Sequence, residues 1–291
     1  TAPTPPTRAG YTFSGWSATS TGSVVSFTGG YAHGQTASFT LYAIWSANAL
    51  TVTYDSKGGT AVTSGTVNTA ASISSAPTAP TRTGYTFSAW SATDGGTAIT
   101  FPYAHGQTAN FTLYALWTAG SLVITYDAKG GTSVSNGSTN SGGSITSAPT
   151  APTRTGYTLD GWSLTDGGNV VTFPFAHGQT ANFTMYAKWT GTTNTITYDS
   201  NGANNGTAPT TSSESWTYSS TTPLTLSTQG TLVKTGFTFA GWATTADATV
   251  GVTSASPATN TTYFAVWTPT QFTVTYAPGT GASGSIASPG N

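Results

Sequence analysis

The sequence predicts a mainly β protein: a tandem array of small modules with little or no helix, strung as a semi-rigid rod. Three observations predict it. A phrase of glycine, aromatic residue, Thr, small residue and Trp occurs four times, its glycine at Gly10, Gly84, Gly156 and Gly236. Thr supplies roughly a fifth of the chain, and it is β-branched, stiff at χ1 and suited to a half-exposed pleated surface. Period-two alternation recurs as well: Leu50, Val52 and Tyr54 share one face, Thr51, Thr53 and Asp55 the other.

The repeated glycines stand 74, 72 and 80 residues apart. Two further phrases keep step: "LYAIW", "LYALW", "MYAKW" and "YFAVW" near the end of each unit, and "TVTYDSKGG", "VITYDAKGG", "TITYDSNGA" and "TVTYAPGTG" before the next. Solenoid units run to about 20–50 residues and cannot stand alone. A unit near 72 residues can just close a small core of its own. The predicted organisation is a partial repeat at 1–46, repeats at 50–118 and 122–190, a longer divergent repeat at 194–268, and a partial repeat at 271–291.

Within a unit, "LTVTYD" is the first strand and "KGG" turns the chain. A Ser/Thr/Gly stretch follows, read as an irregular second strand and loop. "SAPTAPTRTG" is an extended, polyproline-like arm, because Pro fixes φ and holds its predecessor extended. "GYTFSAW" is the next strand, with Tyr85, Phe87 and Ala89 on one side and Trp90 on the other with Thr86 and Ser88. In the other copies Gly15, Gly161 and Gly241 precede the Trp, a natural place for a bulge. "DGG" is a hairpin signal leading into a strand at "TAITF" or "NVVTF". "FTLYALW" is apolar on both faces, as befits a central strand. The connectors "SANA", "TAGS" and "TPTQ" are short enough to constrain neighbouring modules.

Composition narrows the functions. Charged residues are 5% of the chain, against about 25% in ordinary domains. A net charge of −1 offers no basic face for nucleic acid. No apolar run is long enough for a membrane-spanning helix. With no cysteine, disulfides, thiol catalysis and Cys-based zinc sites are all absent. So uncharged a chain, rich in Thr, Ser and Pro, fits an exported surface protein.

These phrases, in this order, resemble the Listeria–Bacteroides repeat, also called the internalin B-repeat. The residues that carry the resemblance are the "VTYDSKGG" opening, the Pro arm, "RTGYTFSAW" and the closing "TLYALW". It covers nearly the whole chain. The resemblance implies small modules of β-grasp type in tandem on secreted or wall-attached bacterial proteins, serving as stalk, spacer or adhesive surface, with no catalytic residue. The unit at 194–268 departs from its neighbours: it has Lys234 in place of Arg, inserts "SSESWTYSS" and lacks the "AHGQT" of the first three.

Eight of the nine Trp lie in the repeated phrases. Trp16, Trp45, Trp90, Trp117, Trp162, Trp189, Trp242 and Trp267 are read as core anchors, with a row of exposed sugar-stacking platforms as the alternative. Burying one such side chain contributes about 1.5–3 kcal/mol. The three His lie one per unit, too few for a metal site or an acid–base pair, and read as turn residues. Asp55 with Arg82, Asp127 with Arg154, and Asp199 with Lys234 are candidate ion pairs. The reading calls for no cofactor. It is a non-enzymatic stalk or fibre segment outside a bacterial cell, the alternative being a carbohydrate- or receptor-binding adhesin. Its partners are further copies or a continuing array, or else a host or cell-surface ligand. Residues 1–46 lack the "VTYD" strand that 271–291 contain. Either a longer array is divided out of step with its units, or Phe272, Val274 and Tyr276 of one protomer complete the front of the next.

Overall fold

The computed structural model describes residues 2–209, 213–219, 221–276 and 279–281. Among them there is no helix, and the strand pattern restarts with each repeat. The first repeat contributes β1 (Tyr11–Ser17) and β2 (Tyr42–Ala47), an antiparallel pair. The second contributes β3 (Ala49–Asp55), β4 (Gly65–Asn68), β5 (Ser72–Ile73), β6 (Tyr85–Ser91), β7 (Tyr103–Ala104) and β8 (Phe111–Ala119). The third repeats them as β9 (Ser121–Asp127), β10 (Gly137–Asn140), β11 (Ser144–Ile145), β12 (Tyr157–Ser163), β13 (Phe175–Ala176) and β14 (Phe183–Gly191). The fourth has β15 (Thr193–Asp199), β16 (Ser213–Thr217), β17 (Leu224–Thr225), β18 (Phe237–Ala243), β19 (Ser254–Ala255) and β20 (Thr261–Pro269).

Three four-stranded sheets result, in the orders β4-β3-β8-β6, β10-β9-β14-β12 and β16-β15-β20-β18, each accompanied by a two-stranded ribbon. In the first of them β3 and β8 run parallel, Val52 opposite Phe111 through Asp55 opposite Tyr114, with antiparallel strands outside. The doubly apolar strand at 111–117 is central, as its pattern demands. By compactness the chain forms two units. One comprises Thr1–Thr125, Asn136–Ser147 and Phe173–Phe183; the other comprises Tyr126–Ser135, Ala148–Thr172 and Thr184–Asn291.

Each core is small and aromatic. In the second repeat Val52, Trp90, Leu113 and Ala115 are buried, ringed by Tyr54, Phe87, Phe101, Phe111 and Trp117. In the fourth, Ile196, Tyr198, Leu226, Leu232, Trp242, Tyr263 and Ala265 form the centre, with Trp216 and Trp267 packed against it.

Three local expectations are corrected. Trp90 lies on the same side as Phe87, their rings 5.5 Å apart, because the register shifts between Phe87 and Ala89. The bulge inserts one residue and turns the Trp inward. "TAITF" does not form a strand of its own: Ala98 makes one bridge to Ser91, and pairing resumes at Tyr103–Ala104. The connectors are shorter than "SANA" and "TAGS" imply, since only Asn48 separates β2 from β3 and only Gly120 separates β8 from β9.

Candidate functional site

The junctions between repeats follow from two turns. Ser56–Gly59 closes with a 3.0 Å bond from Gly59 N–H to Ser56 C=O, Lys57 having φ 49° and Gly58 φ 85°. Both values are those of a type I′ turn. Gly59 then lies against Trp117, whose ring a Cβ would meet at 2.6 Å. The second turn is Arg82–Tyr85, closed by Tyr85 N–H to Arg82 C=O, with Gly84 at φ 78°. Gly is favoured there because L side chains rarely adopt that backbone.

Gly84 has a second task. Its carbonyl accepts from Gly120 N–H at 2.8 Å, and the Gly120 carbonyl accepts from Ser141 N–H at 2.8 Å. One connector residue thus bridges the turn of one repeat to the body of the next. The same relay runs Gly10–Asn48–Thr69 and Gly156–Thr192–Tyr218, and Thr270 N–H reaches Gly236 C=O. A Cβ on Gly84 would stand 2.5 Å from the Thr180 carbonyl, so the next repeat's "HGQT" loop abuts this corner. Tyr85 Oη also donates to the Ser141 carbonyl at 3.1 Å.

The regular spacing of His is explained by the same loop. His177 is 5% exposed, its Nδ1 accepting from Gln179 N–H at 3.0 Å. That assignment leaves the proton on Nε2, 3.1 Å from Thr139 Oγ1. Burial lowers the His177 pKa from its ordinary value, more than the Asn140 carbonyl bond raises it. His105 holds Gln107 N–H in the same way. The fourth repeat, without this loop, uses its insertion: Tyr218 occupies the space beside Gly156 and meets Tyr157 edge-on at 5.1 Å.

Six of the eight predicted Trp fall into two groups. Trp90, Trp162 and Trp242 are each 1% exposed. Trp117, Trp189 and Trp267 are half-buried, and each donates Nε1–H to the turn after the first strand, at Ser56, Ala128 or Ser200. Trp16 and Trp45 flank Phe13 in the first repeat.

The candidate ion pairs do not form as expected. Asp55, Asp127 and Asp199 instead accept the backbone N–H two residues on, at Lys57, Lys129 and Asn201. Short acids favour that local bond where a turn begins. Arg82 and Arg154 lie over the Tyr85 and Tyr157 rings, 3.9 and 3.8 Å from the centroids, and Lys234 lies 4.9 Å from that of Phe237. Among the described residues the ion pairs are Lys57–Asp94 at 2.7 Å and Lys129–Asp166 at 2.6 Å. Hydrogen bonding to Asp94 and Asp166 raises both lysine pKa values.

Sequence reasoning missed those acids, although the signal was there. Where Lys57 becomes Asn201, the acid is gone too, and Asn201 Nδ2 donates to the Ala246 carbonyl. It also missed Asn110, Asn182 and Asn260. Their side-chain oxygens accept from Thr51, Val123 and Thr195 N–H, each at 2.8 Å, satisfying the first strand of each sheet. Phe272, Val274 and Tyr276 stand 77%, 62% and 54% exposed and outside any strand.

Repeated sheets tied by single-residue connectors define a tandem-repeat β array. The family model of the Listeria-Bacteroides repeat domain matches residues 1–44, 51–116, 123–188 and 195–266, and the chain belongs to that family. Over 246 residues it is 30% identical to a protein of Evansella cellulosilytica provisionally named a membrane protein, covering 84% of this chain and 36% of that one. It is also 35% identical over 140 residues to internalin H of Listeria monocytogenes, covering 44% of this chain and 25% of the relative. The chain therefore spans only about a third and a quarter of these relatives.

Proposed function

We propose that the chain is a non-enzymatic spacer in a bacterial cell-surface protein, held outside the cell. The relay through Asn48, Gly120 and Thr192 carries this reading. Each connector spends both its N–H and its C=O on the repeats it joins, so a hinge there would cost two backbone bonds. Each such bond contributes about 0.5–1.5 kcal/mol net. The surface location rests on the family and on the names of its relatives.

The test is small-angle scattering of the chain and of Gly120→Pro, which removes the donor to Gly84. The wild type should scatter as repeats held in fixed relation. The variant should show a broader distribution of dimensions while circular dichroism stays unchanged. Wild-type scattering already typical of freely jointed repeats would sink the spacer reading.

A further inference from the structure

Two clefts recur at one place in successive repeats. The first, about 690 Å³, is lined by Gly58, Thr60, Pro80, Arg82, Thr83 and Tyr85 together with Phe87 and Trp117. The second, about 580 Å³, is lined by Gly130, Thr132, Pro152, Arg154, Thr155 and Tyr157. Ligand sites commonly span about 300–1,000 Å³. Both clefts are open, rimmed by threonine hydroxyls, and hold one charged side chain.

That side chain is pre-organised. The Arg82 guanidinium lies 3.9 Å over the Tyr85 ring. Its Nε also lies 3.7 Å from where a Cβ on Gly58 would stand. Arg154 lies likewise over Tyr157 and beside Gly130. A guanidinium carries five N–H donors in a planar fork suited to carboxylate or sulfate. Among the described residues, neither arginine donates a hydrogen bond to protein or joins an ion pair. The nearby lysines have taken Asp94 and Asp166, so the cation left open in each cleft is the arginine.

We propose that each of these clefts is a site for an acidic polysaccharide. An acid group of the sugar pairs with Arg82 in the first cleft and with Arg154 in the second, while sugar hydroxyls meet Thr60 and Thr83, or Thr132 and Thr155. The same lining recurs 72 residues on in the sequence. The hydroxyl-rich rim favours a sugar over an acidic peptide. This activity stands independently of the spacer reading, since it needs the clefts and not the connectors.

The test uses the whole chain with polygalacturonate, dextran sulfate, neutral dextran and polyglutamate, read by calorimetry at low and physiological salt. At least one acidic polysaccharide should bind, more weakly as salt rises, and neutral dextran should not. Which of the two binds identifies the acid as carboxylate or sulfate. Arg82→Gln with Arg154→Gln should weaken binding at least tenfold. Thr83→Glu with Thr155→Glu, at exposed positions that leave the stacked arginines intact, should do the same and guards against a folding defect. Binding of neither acidic polysaccharide, equal binding by both double variants, or tighter binding of polyglutamate overturns the proposal.

Discussion

Trp162 is 1% exposed and meets Tyr126 edge-on at 5.0 Å. A repeat this small has few other anchors, so Trp162→Ala should cost about 3–5 kcal/mol. Chemical denaturation should show that loss in the third repeat, and a loss below about 1 kcal/mol would place the ring outside the core. His177 gives a pH dependence whose sign is fixed. Burial depresses its folded pKa, so the unfolded chain binds the proton more readily, and acid favours unfolding. The stability tied to His177 is full above about pH 6.5, the unfolded value, and declines as pH falls toward the folded pKa. Unfolding midpoints between pH 7.5 and 5 should fall for the wild type and fall less for His177→Gln. Identical slopes would remove His177 as the cause.

At the scale of the element, the bulge before the inward Trp is built in two ways among the first three repeats. Gly161 faces Val170, whose Cγ1 would lie 2.4 Å from an added Cβ, and Gly15 faces Val24 likewise. The second repeat has Ala89 at the bulge and Ala98 opposite, as the bridge from Ser91 to Ala98 places them. Size is exchanged between the two positions. Gly161→Ala alone should therefore cost about 1–3 kcal/mol by overpacking, and adding Val170→Ala should restore part of it. Strictly additive losses in a double-mutant cycle would disprove the exchange. These pairs also show what was legible in the sequence. The first strand, the apolar central strand and the glycine turns declare themselves through period and φ preference. The side of Trp90 did not, because one inserted residue reverses a period-two reading. The roles of Asn110 and Asp94 were hidden for another reason: their partners, Thr51 and Lys57, lie 59 and 37 residues away.

At the scale of the molecule, the fourth repeat shows which features the array holds fixed. It changes Arg to Lys234, loses the His loop and drops the Lys–Asp pair. Yet it keeps the β16-β15-β20-β18 order, the inward Trp242 and the connector bond from Thr270 to Gly236. The exposed ion pairs are expendable, since water and salt screen such surface pairs. The central pairing is not, and it bears on what happens when such an array is pulled. The chain enters the second repeat at the start of β3 and leaves it at the end of β8, and these strands are parallel neighbours. Tension along the chain drags β3 backwards and β8 forwards. The hydrogen bonds between them cross the direction of pull, so they are loaded in shear and together, not peeled one at a time. The fourth repeat pairs Ile196–Asp199 with Thr261–Phe264 in the same sense. The second and fourth repeats therefore resist extension along the direction of the chain.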